Sequence, residues 1–157
     1  MKILTVVYNL EKGGTQRAAQ VFAEAYQKLG HDSRVLSLYG LGYRYDEIKN
    51  ILNVWDQLSS ENLLEIKKWN PDILHIHSHG PRKEDIDNLI NGLTSVKVIE
   101  TNVFSTPSAW ANKVDISFQL SSWAQWIFNL RGGRQFKSQI VPNPVKCSSF
   151  QKSKKMI

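Results

Sequence analysis

Four groups of residues in this chain have types and spacings that could do chemistry. Gly13-Gly14-Thr15 sits between an apolar run and a helical pattern. A glycine turn feeding a helix lets the backbone approach a phosphate and aims free N–H groups and the helix dipole at it. The spacing is not G-x-G-x-x-G and no Walker lysine follows, so the dinucleotide-cofactor fingerprint is absent; a tight turn without a ligand fits these residues equally well. His75, His77 and His79 fall on one side of an extended strand. No cysteine or second acidic ligand lies close in sequence, which argues against a metal site. A histidine at a strand end can serve a sugar hydroxyl as hydrogen-bond partner or weak base, and satisfied histidines without a role are the other reading. Asn102 follows a fourth apolar run and can donate and accept at once, as a hydroxyl requires. Glu100, two residues earlier, is either a carboxylate in the same pocket or the partner of a nearby cation. Ser78 and Ser121 occupy further predicted strand ends.

A second pattern is aromatic and basic: Trp110, Trp123, Trp126 and Phe128 lie near Arg131, Arg134 and Lys137. Tryptophans in the core with solvated basic residues is the commoner arrangement. An amphipathic segment lying on an anionic membrane is the alternative.

The elements that must position these groups alternate in type. Residues 2–8 form a near-continuous β-branched and apolar run, as expected of a strand buried on both faces of a parallel sheet. A helix is predicted over 15–29, with Ala18, Val21, Phe22, Ala25 and Leu29 on one face and Gly30 closing it. Further strands are predicted at 33–38, 72–77, 96–101, 115–119 and 139–141. Helices are predicted from Ser59 or Ser60 to Trp69 with Leu63, Leu64 and Ile66 inward, at 82–91 ending at Gly92, and at 122–130 opened by a Ser122/Gln125 capping box. Residues 39–55 give no clear reading: an excursion bordering a site and an ordinary surface connection both fit. The alternation predicts an α/β, Rossmann-like parallel sheet with helices on both faces, whose ligands bind at the carboxyl ends of the strands. Asn9, Gly13-Gly14, His77-Ser78-His79, Asn102 and Ser121 all fall there.

Composition narrows the classes. The chain has 157 residues, 41% hydrophobic and 22% charged, enough for one domain with a sizeable core. Its net charge is +6, but Lys146, Lys152, Lys154 and Lys155 stand in the last twelve residues without an acid; without them 16 basic face 14 acidic side chains, or +2. A nucleic-acid face needs clustered charge on folded elements, so no nucleic-acid partner is expected. One cysteine, Cys147, cannot form an internal disulfide. No stretch has the length of a membrane span or the layout of a signal peptide, so the default expectation is the cytoplasm.

Several of these pieces together resemble one family. Lys2-Ile-Leu-Thr-Val-Val-Tyr-Asn-Leu10 with Gly13-Gly14-Thr15-Gln16-Arg17, then Leu29-Gly30-His31-Asp32, looks like the opening of family-4 glycosyltransferases of the two-domain GT-B fold. Pro71-Asp-Ile-Leu-His-Ile-His77, Val98-Ile-Glu-Thr-Asn-Val-Phe104 and Ile140-Val-Pro-Asn-Pro-Val145 resemble later motifs of that family in the right order. The resemblance implies that residues 1–145 are the N-terminal, acceptor-side half of a GT-B fold, with 146–157 a basic tail or the start of an interdomain linker. It also implies transfer of a sugar, with retention and without a metal or other cofactor, from a nucleotide sugar to a glycan or lipid-linked acceptor, as in polysaccharide biosynthesis. Gly13, Gly14 and Thr15 would face the donor diphosphate. Asn102 stands where many members carry a histidine at the transferred sugar, and His77 is the second catalytic candidate. His79, Ser78, Glu100 and Ser121 would border the acceptor. The donor-binding basic residue and paired glutamates of the family belong to a second domain. That domain would be a C-terminal one or a separate subunit, and the chain alone is expected to be inactive without it. Contact with the inner face of the membrane is compatible with the aromatic–basic segment. A different class, a non-catalytic glycan- or nucleotide-binding domain, fits the same residues. A nucleotide-cofactor enzyme is disfavoured, because no acidic residue closes the second strand.

Overall fold

A computed structural model describes residues 1–77 and 81–145; the basic tail over 146–157 lies outside them. Strands β1 (Lys2–Val7), β2 (Asp32–Ser37), β3 (Asn53–Trp55), β4 (Ile73–His77), β5 (Lys97–Asn102), β6 (Ile116–Gln119) and β7 (Ser138–Ile140) form one sheet in the order β3-β2-β1-β4-β5-β6-β7. Every pairing is parallel. Parallel neighbours need crossover connections, and helices α1 (Gly14–Lys28), α2 (Tyr45–Ile48), α3 (Ser60–Trp69), α4 (Lys83–Asn91) and α5 (Ser122–Leu130) supply most of them. The result is the α/β, Rossmann-like sheet expected from the alternation. Its strand order reverses between β1 and β4, and such a switch point opens a crevice beyond the strand ends.

Two cores sandwich the sheet. On one face Leu4, Val6, Leu36, Leu74, Ile76 and Val98 meet Ile66 and Trp69 of α3 and Ile86 and Leu89 of α4. On the other, Val7 and Val35 meet Ala19 and Ala23 of α1 and Ile48 of α2. Burying each large aliphatic side chain here contributes about 1.5–3 kcal/mol. The small Ala19 and Ala23 let α1 lie close over the centre of the sheet.

Most element ends follow local chemistry. Gly30, at φ +84°, closes α1: its N–H bonds to Gln27 O (3.0 Å) and that of His31 to Tyr26 O (3.1 Å). This double closure needs a left-handed residue, which glycine adopts without a Cβ penalty. Ser59 caps α3 by accepting from Asn62 N (3.1 Å). Three expectations need correction. Ser121, not Ser122, caps α5, accepting from Ala124 N (3.1 Å), while Gln125 turns away to donate to Ser138 Oγ (3.1 Å). Leu64 and Leu29 are exposed rather than inward, because the buried stripes of α3 and α1 run through Ile66 and Trp69, and through Ala19 and Ala23.

The unread stretch 39–55 contains α2 and β3. It docks onto α1 through a polar network as well as through Ile48. Gln20 donates to Glu24 and Glu47 (both 2.8 Å), and Arg44 donates to Gln20 Oε1 (3.1 Å). Gly42 is where this stretch presses on the loop after β1: a Cβ there would lie 2.8 Å from Leu10 C and Glu11 N.

Candidate functional site at the carboxyl edge of the sheet

After β1 the chain turns at Asn9, whose Oδ1 accepts from Glu11 N (3.3 Å) and Gln16 Nε2 (3.1 Å). Gly13 then takes the N-cap position of α1 without a side-chain cap, and the first turn holds no acid. The opening N–H groups of α1 therefore keep the partial positive charge of a free helix start. A Cβ on Gly14 would meet nothing within 4 Å, so space in front of this turn is open. Arg44 adds a full positive charge beside it, with Nη2 3.5 Å from Gly13 O, although Glu47 lies 3.9 Å from the same guanidinium. Sequence reading missed Arg44, because it belongs to the stretch whose elements were unreadable.

Asn102 ends β5. Ile76 pairs with Glu100 and Glu100 with Ser117 across the sheet. Glu100 and Asn102 therefore share the face packed by α3 and α4, together with Ser117 and Gln119 of β6. Glu100 is 1% exposed. Its Oε2 accepts from Asn102 Nδ2 (3.3 Å) and Ser117 Oγ (3.3 Å), and Ser117 Oγ accepts from Gln119 Nε2 (3.0 Å). Asn102 Nδ2 also donates to Thr106 O (2.7 Å), tying β5 to the loop that follows. Burial pushes the Glu100 carboxyl above its ordinary value; Ser108, Asn102, Ser117 and Trp110 oppose that push. Ser108 and Trp110 face the carboxyl without completing a hydrogen bond to it: among the described residues Glu100 Oε1, Ser108 Oγ and Trp110 Nε1 have no partner. Asn102 Oδ1 and Gln119 Oε1 share that condition.

A cavity of about 380 Å³ opens beside this cluster, lined by Pro81, Asn102, Phe104, Thr106, Ser108 and Trp110 among others. Asn102, Ser108 and Trp110, each with a buried polar atom that lacks a partner among the described residues, line this largely apolar hollow, and such unmet groups suit a ligand bearing several hydroxyl groups. Trp110 was legible only as one aromatic among several, and Ser108 carried no signal.

His77 is placed elsewhere. His75 and His77 lie on the opposite face of the sheet, beneath Phe22 and Tyr26 of α1, with their rings 4.5 Å apart. Both are fully buried. His75 is satisfied on both nitrogens, by Tyr26 Oη (2.9 Å) and Thr101 Oγ1 (2.8 Å). Burial lowers its pKa to about 3 and raises that of Tyr26 to about 12. His77 is also held well below its ordinary value, by burial and by His75. Neither of its nitrogens has a partner among the described residues. His77 and Asn102 thus occupy the ends of adjacent strands on opposite faces, and the structure does not bring them together. Ser121 follows β6 and uses its hydroxyl to cap α5. Ser78 and His79 lie outside the described residues. Gly13, Gly14, Thr15, Asn102 and Ser121 share the carboxyl edge but not one site: the glycine turn stands at the switch point, Asn102 lines the cavity beyond β5, and Ser121 caps α5.

No helix among the described residues is long and apolar enough to cross a membrane. No protein-family model matches the chain, and no curated protein matches it either.

Proposed function

We propose that the chain is the acceptor-side half of a nucleotide-sugar-dependent glycosyltransferase. The observation that carries this reading is the pairing, along one sheet edge, of an open glycine-led helix start with a cavity lined by Asn102, whose amide Glu100 holds from behind. The helix start suits a diphosphate, whose charge grows as the glycosidic bond to it breaks. Backbone N–H groups of Gly14 and Thr15 and the Arg44 charge would stabilise that departing group. Asn102 would hold a sugar hydroxyl through Oδ1, and Glu100 would fix the amide through Nδ2. In this reading the remaining donor contacts come from a second domain or subunit, and transfer proceeds with retention.

A second reading is a carbohydrate-binding domain without turnover. One observation favours it: the described residues lining the cavity include no titratable side chain, and the two β4 histidines are buried away from it. Transfer of label from a panel of nucleotide sugars separates the two, using the protein as produced from its natural gene and its Gly14→Val variant. The transferase reading expects label in a glycan or lipid fraction with the wild type and at least a tenfold loss with the variant. Saturable glycan binding with no transfer by the wild type would establish the binding module instead. Equal transfer by both proteins would remove the phosphate-loop assignment.

A further inference from the structure

The aromatic–basic segment divides in a way that neither sequence reading foresaw whole. Trp110 and Phe128 are buried, at 5% and 1% exposure, but Trp123 and Trp126 of α5 are 68% and 51% exposed. With Leu130, also exposed, they stand at positions i, i+3 and i+7, which is one stripe of a helix. The Trp123 and Trp126 rings lie 4.8 Å apart, tilted by 35°. Phe128 anchors the opposite side of α5, where a Cβ on Gly133 would fall 2.2 Å from its ring. The helix is therefore held with its tryptophans outward. Arg131 extends the surface by donating to Phe104 O (3.1 Å) and Thr106 Oγ1 (3.0 Å), and the Phe104 ring beside it is exposed.

The sequence that carries this stripe has charge of one sign. Residues 116–145 contain Arg131, Arg134 and Lys137 and no acid. Among the described residues none of the three forms a salt bridge; Lys137 acts on Asp115 through space, but Asp115 is bonded to Lys97 (3.1 Å). Aromatic and aliphatic side chains outward beside unneutralised cations suit an interface that is apolar below and anionic above. A second copy meeting this face by a two-fold axis would set cation against cation.

We propose that this face of α5, with Phe104, binds the surface of an anionic lipid bilayer. Trp123, Trp126 and Leu130 enter the boundary between headgroups and acyl chains, and Arg134 and Lys137 lie over the headgroup phosphates. The inference does not depend on sugar transfer, and its test does not measure it.

The test is flotation of the full chain with vesicles of pure phosphatidylcholine and of equimolar phosphatidylcholine and phosphatidylglycerol. Binding should appear with the anionic vesicles and weaken with salt. Trp123→Ala/Trp126→Ala should reduce it at least tenfold, and Lys137→Gln about fivefold. Both Trp positions are exposed, so the thermal midpoint of the double variant should match the wild type, separating lost binding from lost folding. No flotation with either vesicle, equal flotation with both, or undiminished binding by the folded double variant would each overturn the proposal. So would gel filtration showing that the wild type self-associates through this face and the variant does not.

Discussion

Replacing Asn102 with alanine removes the two hydrogen bonds its Nδ2 makes, to Thr106 O (2.7 Å) and to Glu100 Oε2 (3.3 Å). Each buried acceptor left without a donor costs about 1–3 kcal/mol. Glu100 keeps the Ser117 hydroxyl, and the cavity admits water near Thr106, so the lower part of that range applies twice, or about 2–3 kcal/mol. In a chain of this length that lowers the thermal midpoint by roughly 5–10 °C. Asn102→Asp is the sharper probe, because it sets a second carboxyl beside one that burial already pushes up. Both groups then have folded pKa values above their unfolded ones. Stability is fully present below the ordinary carboxylate range and is lost as pH rises through the raised values. The midpoint of Asn102→Asp should therefore fall below that of Asn102→Ala at neutral pH and recover towards pH 4. Thermal unfolding followed by circular dichroism from pH 4 to 8 reads both effects. An alanine variant within 1 °C of wild type, or an aspartate variant with the wild-type pH profile, would refute the claim that these side chains form one buried network.

Four further outcomes follow from named contacts. Glu100→Gln should keep the bonds from Asn102 and Ser117 while abolishing a buried ionisation, so its stability relative to wild type should increase as pH rises above the ordinary carboxylate range; urea denaturation at two pH values checks this. Gly14→Val should leave the thermal midpoint within 2 °C, since its side chain enters open space at a first-turn position. Gly42→Ala should cost about 1–3 kcal/mol, because its Cβ meets the backbone of Leu10 and Glu11 as well as the movable Glu11 side chain; a midpoint equal to wild type would contradict the close approach. His75, held to a pKa of about 3 in the fold, should stay neutral by NMR at pH 5. Its contribution to stability is present above pH 6.5 and declines as pH falls towards 3, by up to about 1.4 kcal/mol per unit.

The sheet was legible because burial on both faces writes continuous apolar runs, as in Lys2–Val7 and Ile73–His77. The long helices were legible through their ends, Ser59 and Gly30 above all. The stretch 39–55 was not, for a physical reason. Helix α2 has four residues and β3 three, too few to show a period. Helix α2 is held by tertiary contacts through Gln20, Glu47 and Ile48, and β3 by its pairing with β2, and no local pattern announces either. The candidate site divides similarly. Gly13-Gly14 and Asn102 could be read from their positions after strands. The partners that give Asn102 its setting, Ser108, Trp110, Ser117 and Gln119, come from a loop and a neighbouring strand, and only the fold assembles them. His77 shows the converse: a residue type suited to chemistry at a strand end turned under α1, because alternation along β4 sends every second side chain to that face.

The most direct measurement on the central claim is a ¹H–¹⁵N NMR titration of the chain with nucleotide sugars. Acceptor-side membership of a transferase predicts saturable shifts of the Gly14 and Thr15 amides together with the Asn102 side-chain amide, and their loss in Gly14→Val for the first two. Shifts confined to other surfaces, such as the groove between α3 and α4, or none at all with any nucleotide sugar, would contradict it.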